Sequence, residues 1–422
     1  MREWFQPIDN KQLARGLKEY RQRNGGALTL TMYPSNKCRS PWPVLQTVSW
    51  AHGTLWEIEM ANQANATHGV MEGEGAYNKH AKLPAGGAAM AMPSLEKAVQ
   101  RLPLDASELP VVIADYGSSQ GKNSMVPMQL AIRELRKRIG ANRPISVYHI
   151  DQPSNDFKSL FEVLHADPDR YVADGPNVFP AAIGRSFYEN VLPPGSVHLG
   201  WSSYAAVWLS RVPALIPGHF IFPYSTGTVR DQFERQGEQD WKTFLSLRAR
   251  ELCPGGRLVV VLPALADDGS SGLEPIFDAA NAVLGEMAAD GTITSEERSR
   301  MALGTLPRRK RDLLVPFGGH GEFQQLTVEE LQMFEVPDAA WIDYQRDGEK
   351  QALAAKQALF FRSIFVPSLA SALVRVGARD AEVLGAFGGQ IEQRLKARLL
   401  SQPPSTRSFV QVMVLAKADR HC

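Results

Sequence analysis

The chain has 422 residues, of which 44% are hydrophobic and 22% charged, and its formal net charge is +1. This composition is that of an ordinary globular protein, and the length allows a large core with an additional subdomain. The near-neutral charge provides no general basic field, so no nucleic-acid partner is expected.

The cysteines and the N-terminal residues indicate in which cellular compartment the protein is expected. Cys38, Cys253 and Cys422 are too few and too scattered for a disulfide framework or a four-ligand zinc site, which favours a reducing cytoplasm. Charged residues interrupt residues 1–11, so these lack the apolar run of a signal peptide. No stretch reaches the roughly 18 apolar residues of a membrane span, and no cluster of His, Asp and Glu has the spacing of a metal site.

Residues 1–68 carry no readable motif, and we treat them as an N-terminal extension of unknown role. A helix is predicted over residues 93–102. The most informative stretch follows at residues 111–124, VVIADYGSSQGKNS, which predicts a strand, a glycine-rich loop and a helix over residues 125–138. Glycines let a ligand approach the backbone, and the helix N-terminus offers free N–H groups to an anion. The alternative is a buried strand that turns into a helix without binding a ligand.

Two acids stand where this kind of fold binds its ligands. Asp115 lies at the end of the first strand, and Asp151 follows a second predicted strand at residues 145–150. Strand, glycine loop, helix, strand and acid form one βαβ unit of a doubly wound sheet. Asp151 is therefore placed to accept hydrogen bonds from both ribose hydroxyls of an adenosine; the alternative is a polar residue that begins a loop.

The remaining chain predicts further elements around this unit. Tyr204 and Trp208 are four residues apart, so in a helical turn they would share one face that lines an apolar pocket or belongs to ordinary core. The basic cluster at residues 308–311 is expected to be a solvated face. The other predictions are a loop-rich stretch at 178–194, strands at 197–201 and 409–415, and a buried strand at 258–262 that is entered through the Pro-Gly-Gly turn. Helices are predicted at 277–287, 295–303 and 350–376, the last interrupted near Pro367.

Several separated segments, in this order, resemble one family. They are MEGEGAY at residues 71–77, IADYGSSQGKN at 113–123, DQPSNDF at 151–157, SFY at 186–188 and SSYAAVWLS at 202–210. Together they resemble the SABATH family, the S-adenosylmethionine-dependent methyltransferases of the salicylate, benzoate and theobromine type, over residues 71–418.

The resemblance implies an α/β fold with a Rossmann-like class I methyltransferase sheet, a mostly helical cap subdomain and a homodimer. On this basis residues 69–265 are the core that binds S-adenosylmethionine. Residues 266–400 are the helical cap and substrate-pocket region, and the last strand of the core lies at about 408–418.

The resemblance also assigns roles to particular residues. Asp115, Gly117 and Asn123 would contact the methionine part of the cofactor, and Asp151 would hold the ribose. Ser186 and Phe187 would flank the adenine, while Tyr77 would close over the cofactor from the N-terminal side. Tyr204 and Trp208 would face the substrate, with the indole N–H of Trp208 reaching its carboxylate.

This chain departs from the family pattern after Tyr77. The family has an Asn-Ser pair and then a glutamine that helps to clamp the carboxylate, and the serine and glutamine are missing here. We therefore hypothesise that Lys79, His80 or Lys82 orients the acid instead; the alternative is that these are solvent-facing lysines and a structural histidine. Gln152 also replaces a leucine that is common in the family.

The predicted function is transfer of a methyl group from S-adenosylmethionine to the carboxylate of a small organic acid, giving a methyl ester. A carboxylate is already ionised at neutral pH, so no general base is expected. The alternatives are N-methylation of a heterocycle and a cofactor-binding protein without turnover. A nicotinamide-dependent dehydrogenase is disfavoured because the loop lacks the third glycine at dinucleotide spacing.

Overall fold

The computed structural model describes residues 68–175, 177–373 and 380–419. The predicted N-terminal extension lies outside the described residues except for His68, as do Cys38 and Cys422. Among the described residues, no helix combines the length and the apolar character that a membrane crossing requires.

Eight strands of the described chain form one sheet in the order β3-β2-β1-β4-β5-β8-β7-β6. Strands β3, β2, β1, β4 and β5 are parallel, whereas β8 is antiparallel to both β5 and β7. The strands are β1 (Val111–Tyr116), β2 (Ile145–Asp151), β3 (Val178–Gly184), β4 (Val197–Ser203), β5 (Leu252–Pro263), β6 (Glu322–Phe323), β7 (Leu326–Val336) and β8 (Ser408–Lys417).

Helices cover both faces of this sheet and one end of it. They are α1 (Ala76–His80), α2 (Lys82–Met90), α3 (Met92–Gln100), α4 (Lys122–Ile139), α5 (Phe157–Ala166), α6 (Gly227–Glu251), α7 (Glu274–Ala289), α8 (Ser295–Arg300), α9 (Lys310–Leu314), α10 (Ala339–Asp347), α11 (Lys350–Ala370) and α12 (Asp380–Ser401). Short 3₁₀ helices lie at Tyr171–Asp174, Phe222–Tyr224 and Val315–His320.

The two faces of β1 show why the sheet is doubly wound. Successive side chains of a strand point to opposite faces, and Ile113 packs into the core with Met128 of α4, whereas Ala114 packs into the core with Phe244 of α6. Because both faces are covered, the parallel strands are apolar almost throughout. This packing fixes the carboxyl ends of β1, β2 and β4 at one edge of the sheet.

A separate core holds the helical cap together. Apolar side chains of α7, α11 and α12 pack together, among them Val283, Phe361 and Ile391. These helices lie within residues 266–400, the region that the sequence analysis assigns to the cap. This region also contains β6 and β7, which join the main sheet rather than the cap.

Several expectations from the sequence are wrong in detail. The stretch read as loop-rich contains the edge strand β3, in which Pro180 is tolerated beside a single neighbouring strand. Pro367 lies inside α11 and does not interrupt it. Arg308 is 2% exposed and donates to the backbone carbonyls of Ala206 and Gly237, so it does not belong to a solvated face.

Candidate functional site

A cavity of about 690 Å³ opens at the carboxyl ends of β1, β2 and β4. Its lining is mostly apolar, and its acidic residues are Asp151 and Glu189; no lysine or arginine of the described chain lines it. The sheet edge and the cap both contribute to the lining, with Gly117, Ser119, Asp151, Phe187, Tyr204, Trp208, Phe277 and Phe365 among them.

The loop after β1 is held tightly against its surroundings. Gly117 has a φ of +90°, and a Cβ at this position would overlap the side chain of Ala205, so only glycine fits. Ser119 also has a left-handed backbone, with a φ of +47°. The side-chain amide of Asn155 donates to the carbonyl of Ser119 at 2.8 Å. The loop therefore presents its backbone to the cavity in one conformation.

Asp151 lies at the end of β2 and lines the cavity. Its two carboxylate oxygens accept the backbone N–H groups of Ser119 and Gln152, each at 2.7 Å. Burial, with a smaller contribution from the negative charge of Asp115, raises the pKa of Asp151 to about 6, although the two backbone hydrogen bonds act to lower it. The predicted ribose acceptor is thus in the cavity wall, with a carboxylate oriented by two backbone donors.

Asp115 and Asn123 lie next to the loop but are not among the residues that line the cavity. Asp115 is 1% exposed, and its Oδ2 accepts hydrogen bonds from the Ser124 hydroxyl at 2.6 Å and from Nδ1 of His149 at 2.9 Å. The side-chain amide of Asn123 donates to the carbonyl of Ala81 at 3.2 Å. Both residues therefore support the site from beneath it.

Tyr77 of α1 lines the cavity, and burial raises the pKa of its phenol to about 12. The neighbouring Asn78 connects α1 to the glycine loop: its side-chain amide donates to the carbonyl of Gln120 at 2.9 Å, and its side-chain oxygen accepts the N–H of Lys122 at 3.0 Å. These bonds hold α1 against the glycine loop, and Tyr77 is the residue of α1 next to Asn78.

The strap, defined here as residues 68–75, is anchored on α11 at Pro367. Proline lacks an N–H, so the carbonyl of Ser363 has no helical partner and instead accepts the N–H of Glu72 at 2.9 Å. The hydroxyl of Ser368 accepts the N–H of Gly69 at 3.0 Å. Pro367, which the sequence predicts to interrupt the helix, therefore leaves the carbonyl of Ser363 free to accept a hydrogen bond from the strap.

An ion pair strengthens this anchorage. The guanidinium of Arg362 on α11 donates to the carboxylate of Glu72 at 2.6 and 2.9 Å and to Glu392 of α12 at 2.7 Å. All three side chains are only partly exposed. The cap helices and the strap thus form one continuous wall of the cavity.

Tyr204 and Trp208 both line the cavity, although the predicted helical turn between them is absent. Tyr204 leaves β4 with a φ of +59°, and this left-handed residue prevents a helix from starting there. The carbonyl of Trp208 accepts the hydroxyl of Tyr188 at 2.7 Å. Its indole N–H makes no hydrogen bond to another residue that the structure describes.

His68 is a cavity-lining residue that sequence reasoning missed, because it lies at the edge of the unreadable N-terminal stretch. Its ring meets that of Trp208 edge to face, with centroids 5.3 Å apart. Its Nε2 lies 3.2 Å from the carbonyl oxygen of Gly304, which requires a proton on that nitrogen. Burial lowers the pKa of His68 to about 4, so the ring is neutral at pH 7.

The other predicted site residues divide into two groups. Ser186 and Phe187 line the cavity beside the glycine loop. Lys79, His80 and Lys82 do not line it; the two lysines are exposed and the histidine is half-buried. Leu83 and Pro84 of α2 occupy that part of the wall instead.

These features fit a bound nucleoside carrying a short charged tail. Gly117 brings the backbone of the glycine loop to the cavity surface, Asp151 offers an oriented carboxylate, and Phe187 offers an aromatic face. The antiparallel β8 beside β5 completes a sheet that defines a class I methyltransferase.

The sequence comparison identifies the family. The family described as SAM dependent carboxyl methyltransferase matches residues 63–418, and the chain belongs to this family. It is therefore an S-adenosylmethionine-dependent carboxyl methyltransferase. This result confirms the predicted SABATH resemblance, cofactor, enzyme class and reaction type.

Individual relatives agree with this assignment. The chain is 29% identical over 259 residues to methyltransferase FUS9 of Gibberella fujikuroi, covering 60% of this chain and 68% of the relative. It is 27% identical over 250 residues to the salicylate carboxymethyltransferase of Clarkia breweri, covering 57% and 67%. The solved structure of loganic acid methyltransferase with SAH superimposes with a TM-score of 0.66 at 22% identity, covering 83% of this chain and 99% of that one, which confirms the fold.

Proposed function

We propose that this enzyme methylates the carboxylate of a small organic acid with a largely apolar body. The observation that carries this proposal is the wall of the cavity away from Asp151, which is built from aromatic and aliphatic side chains such as Phe277, Phe365 and Trp208 and contains no lysine or arginine of the described chain. Such a wall favours an apolar body and provides no partner for a second negative charge.

The glycine-loop end of the cavity would hold S-adenosylmethionine. Asp151 would accept the ribose hydroxyls, Ser186 and Phe187 would flank the adenine, and Gly117 would admit the cofactor close to the backbone. Tyr77 would cover the methionine part, which Asp115 and Asn123 would hold from beneath. When bound, the cofactor supplies an electrophilic methyl group on its sulfonium.

The substrate carboxylate would be oriented by Trp208. Its indole N–H has no other partner among the described residues, and its ring is held by His68 on one side and Phe365 on another. His68 is neutral at pH 7, so its role is to fix the indole rather than to supply charge. Tyr204 would close the pocket beside it.

The chain then needs to perform little chemistry of its own. A carboxylate has an ordinary pKa near 4, so no residue has to remove a proton. Holding the reacting groups in line is worth about 7–11 kcal/mol in favourable cases. The apolar wall also removes water from the carboxylate, which makes it a better nucleophile. No group of three or more His, Cys, Asp or Glu in the described chain could hold a metal ion.

A substitution at Trp208 tests the substrate contact. After a panel of aromatic and aliphatic acids has identified a substrate, Trp208→Phe keeps an aromatic wall and removes the N–H. We expect the KM for the acid to rise about tenfold while the dissociation constant of S-adenosylhomocysteine stays the same. Trp341→Phe on α10, which is not a cavity residue, is the matched control. An unchanged KM in Trp208→Phe would contradict the role of the indole.

The alternative orienting residues are tested in the same assay. Alanine is introduced separately at Lys79, His80 and Lys82, and the KM for the acid is measured. If one of them orients the acid, its variant alone shows a raised KM; three unchanged values reject this hypothesis.

We also propose the homodimer and the cytoplasmic location expected from the sequence. Light scattering on the purified full chain tests the first, since a dimer has twice the 46.6 kDa of one chain. A mass of one chain at micromolar concentration would rule out a stable dimer.

A further inference from the structure

A chain of buried hydrogen bonds runs away from the site behind Asp115. Nδ1 of His149 lies 2.9 Å from Oδ2 of Asp115, and Nε2 of His149 lies 2.8 Å from the hydroxyl of Tyr171. The Cα atoms of Asp115 and His149 are direct partners across β1 and β2. His149 and Tyr171 are completely buried.

When Asp115 is ionised and His149 is neutral, the three groups admit one arrangement of protons. An ionised carboxylate can only accept, so Nδ1 of His149 must donate to Asp115. In a neutral imidazole the other nitrogen is then an acceptor, so the hydroxyl of Tyr171 donates to Nε2. Burial raises the pKa of Tyr171 well above its ordinary value, which keeps the hydroxyl protonated. The carboxylate of Asp115 thereby selects this tautomer of His149, and the hydroxyl of Tyr171 holds the other ring nitrogen.

Only one of the two carboxylate oxygens of Asp115 accepts these hydrogen bonds. Oδ2 accepts from both His149 and the Ser124 hydroxyl, whereas Oδ1 makes no hydrogen bond to another described residue. Asp115 precedes the glycine loop by one residue, Tyr116. Fixing Oδ2 with two donors therefore also fixes the direction of Oδ1.

We propose that His149 and Tyr171 are positioning residues for the cofactor, with Tyr171 holding the imidazole ring through which His149 orients Asp115. This inference rests on the proposed contact between Asp115 and the methionine part of the cofactor. Neither residue lines the cavity, so each acts only through Asp115.

Two variants of His149 separate positioning from simple packing. His149→Asn offers an amide N–H near the position of Nδ1, whereas His149→Leu has similar size and no donor. We expect the dissociation constant of S-adenosylhomocysteine, measured by calorimetry, to rise about tenfold in His149→Leu and to stay within about twofold of the wild type in His149→Asn. Equal losses in the two variants would overturn the proposal, because packing alone would then explain them.

The tautomer is tested by NMR on full-length protein labelled with ¹⁵N-histidine. In the wild type we expect Nδ1 of His149 to be protonated and Nε2 to accept a hydrogen bond, and in Tyr171→Phe we expect the ¹⁵N resonance of Nε2 to shift because its donor is gone, together with a severalfold weaker affinity for S-adenosylhomocysteine. Tyr116→Phe is the matched control, since it removes a buried hydroxyl that donates to Glu251 at 2.7 Å from the opposite face of β1. It should reduce stability and leave the ¹⁵N resonances of His149 unchanged.

The outcomes also distinguish this proposal from the cofactor assignment. A wild-type protein that fails to bind S-adenosylhomocysteine would reject the assignment of the site. A wild type that binds it, with Tyr171→Phe binding equally well, would reject the positioning role alone.

Discussion

The backbone N–H of Ser119 donates to the carboxylate of Asp151 at 2.7 Å, so one hydrogen bond joins the glycine loop to the end of the neighbouring strand. The same carboxylate lines the cavity and is the proposed ribose acceptor. One partly buried acid therefore holds the loop and, as we propose, would also bind the ligand, which makes its protonation state important for the site.

Cofactor affinity should depend on pH through Asp151. Its pKa is raised to about 6 by burial, so the carboxylate takes up a proton as the pH falls through 6 and then accepts hydrogen bonds poorly. We expect the dissociation constant of S-adenosylhomocysteine to be constant above pH 7 and to rise below pH 6, approaching tenfold per pH unit. Calorimetry on wild type and Asp151→Asn checks this. The variant should bind more weakly with no rise in that window, and an equal pH dependence in both proteins would assign it to another group.

Gly117→Ala should destabilise the protein and close the site. The new methyl group would overlap the side chain of Ala205, at a backbone φ of +90°. We expect a loss of about 2–4 kcal/mol in the free energy of unfolding, from the left-handed backbone and the overpacking together. Gly348→Ala is the matched control, because Gly348 has a left-handed backbone with a φ of +73° and nothing within 4 Å of its Cβ position. Urea unfolding should show a loss of only about 1–2 kcal/mol in the control.

Pro367→Ala should release the strap. Alanine restores an N–H that competes with Glu72 for the carbonyl of Ser363, while it favours the helix itself. We expect faster amide hydrogen exchange at residue 72 and a severalfold weaker affinity for S-adenosylhomocysteine. Gly389→Ala is the control, because it also favours a cap helix and its Cβ position is open. If exchange at residue 72 is unchanged in Pro367→Ala, the proline does not anchor the strap.

His68 should make the protein less stable in acid. Its pKa is about 4 when folded and 6.5 in the unfolded chain, so the unfolded chain binds the extra proton between these values and stability falls as the pH drops through that window. Relative to His68→Gln, the wild type should lose about 3 kcal/mol from pH 7 to pH 4. The comparison with the variant is needed because Asp151 acts in the opposite direction: it binds its proton more readily when folded, so its contribution to stability falls as the pH rises from 3.8 to about 6. A constant difference between the two proteins would contradict the lowered pKa.

The sequence alone predicted an element of the fold correctly where several local signals fall in the same stretch. The apolar run before Asp115, the glycines at 117 and 121 and the helix after them define β1, the loop and α4 without any knowledge of the rest. The resemblance to the family added Trp208, Ser186 and Phe187 to the predicted site. These residues lie far from the glycine loop in the chain but line the same cavity. These residues share no local signal with the loop, and only the crossing of the chain over the sheet brings them together.

Other parts of the site were not predictable, for physical reasons. Phe277 and Phe365 could not be recognised as cavity residues, because an apolar cavity wall has the same sequence pattern as a core. Arg308 belongs to a run of basic residues, and only tertiary contacts with backbone carbonyls bury it. Strand β7 carries many charged side chains on its exposed positions, and its pairing with β8 rather than its composition makes it a strand.

Strand β8, at residues 408–417, lies between β5 and β7 although it follows both of them in the chain. During synthesis, β5 and β7 must therefore wait with unpaired backbone edges until these residues have left the ribosome. Such edges are templates for intermolecular pairing, so a chain stopped before Ser408 is expected to aggregate rather than to persist as a smaller folded enzyme.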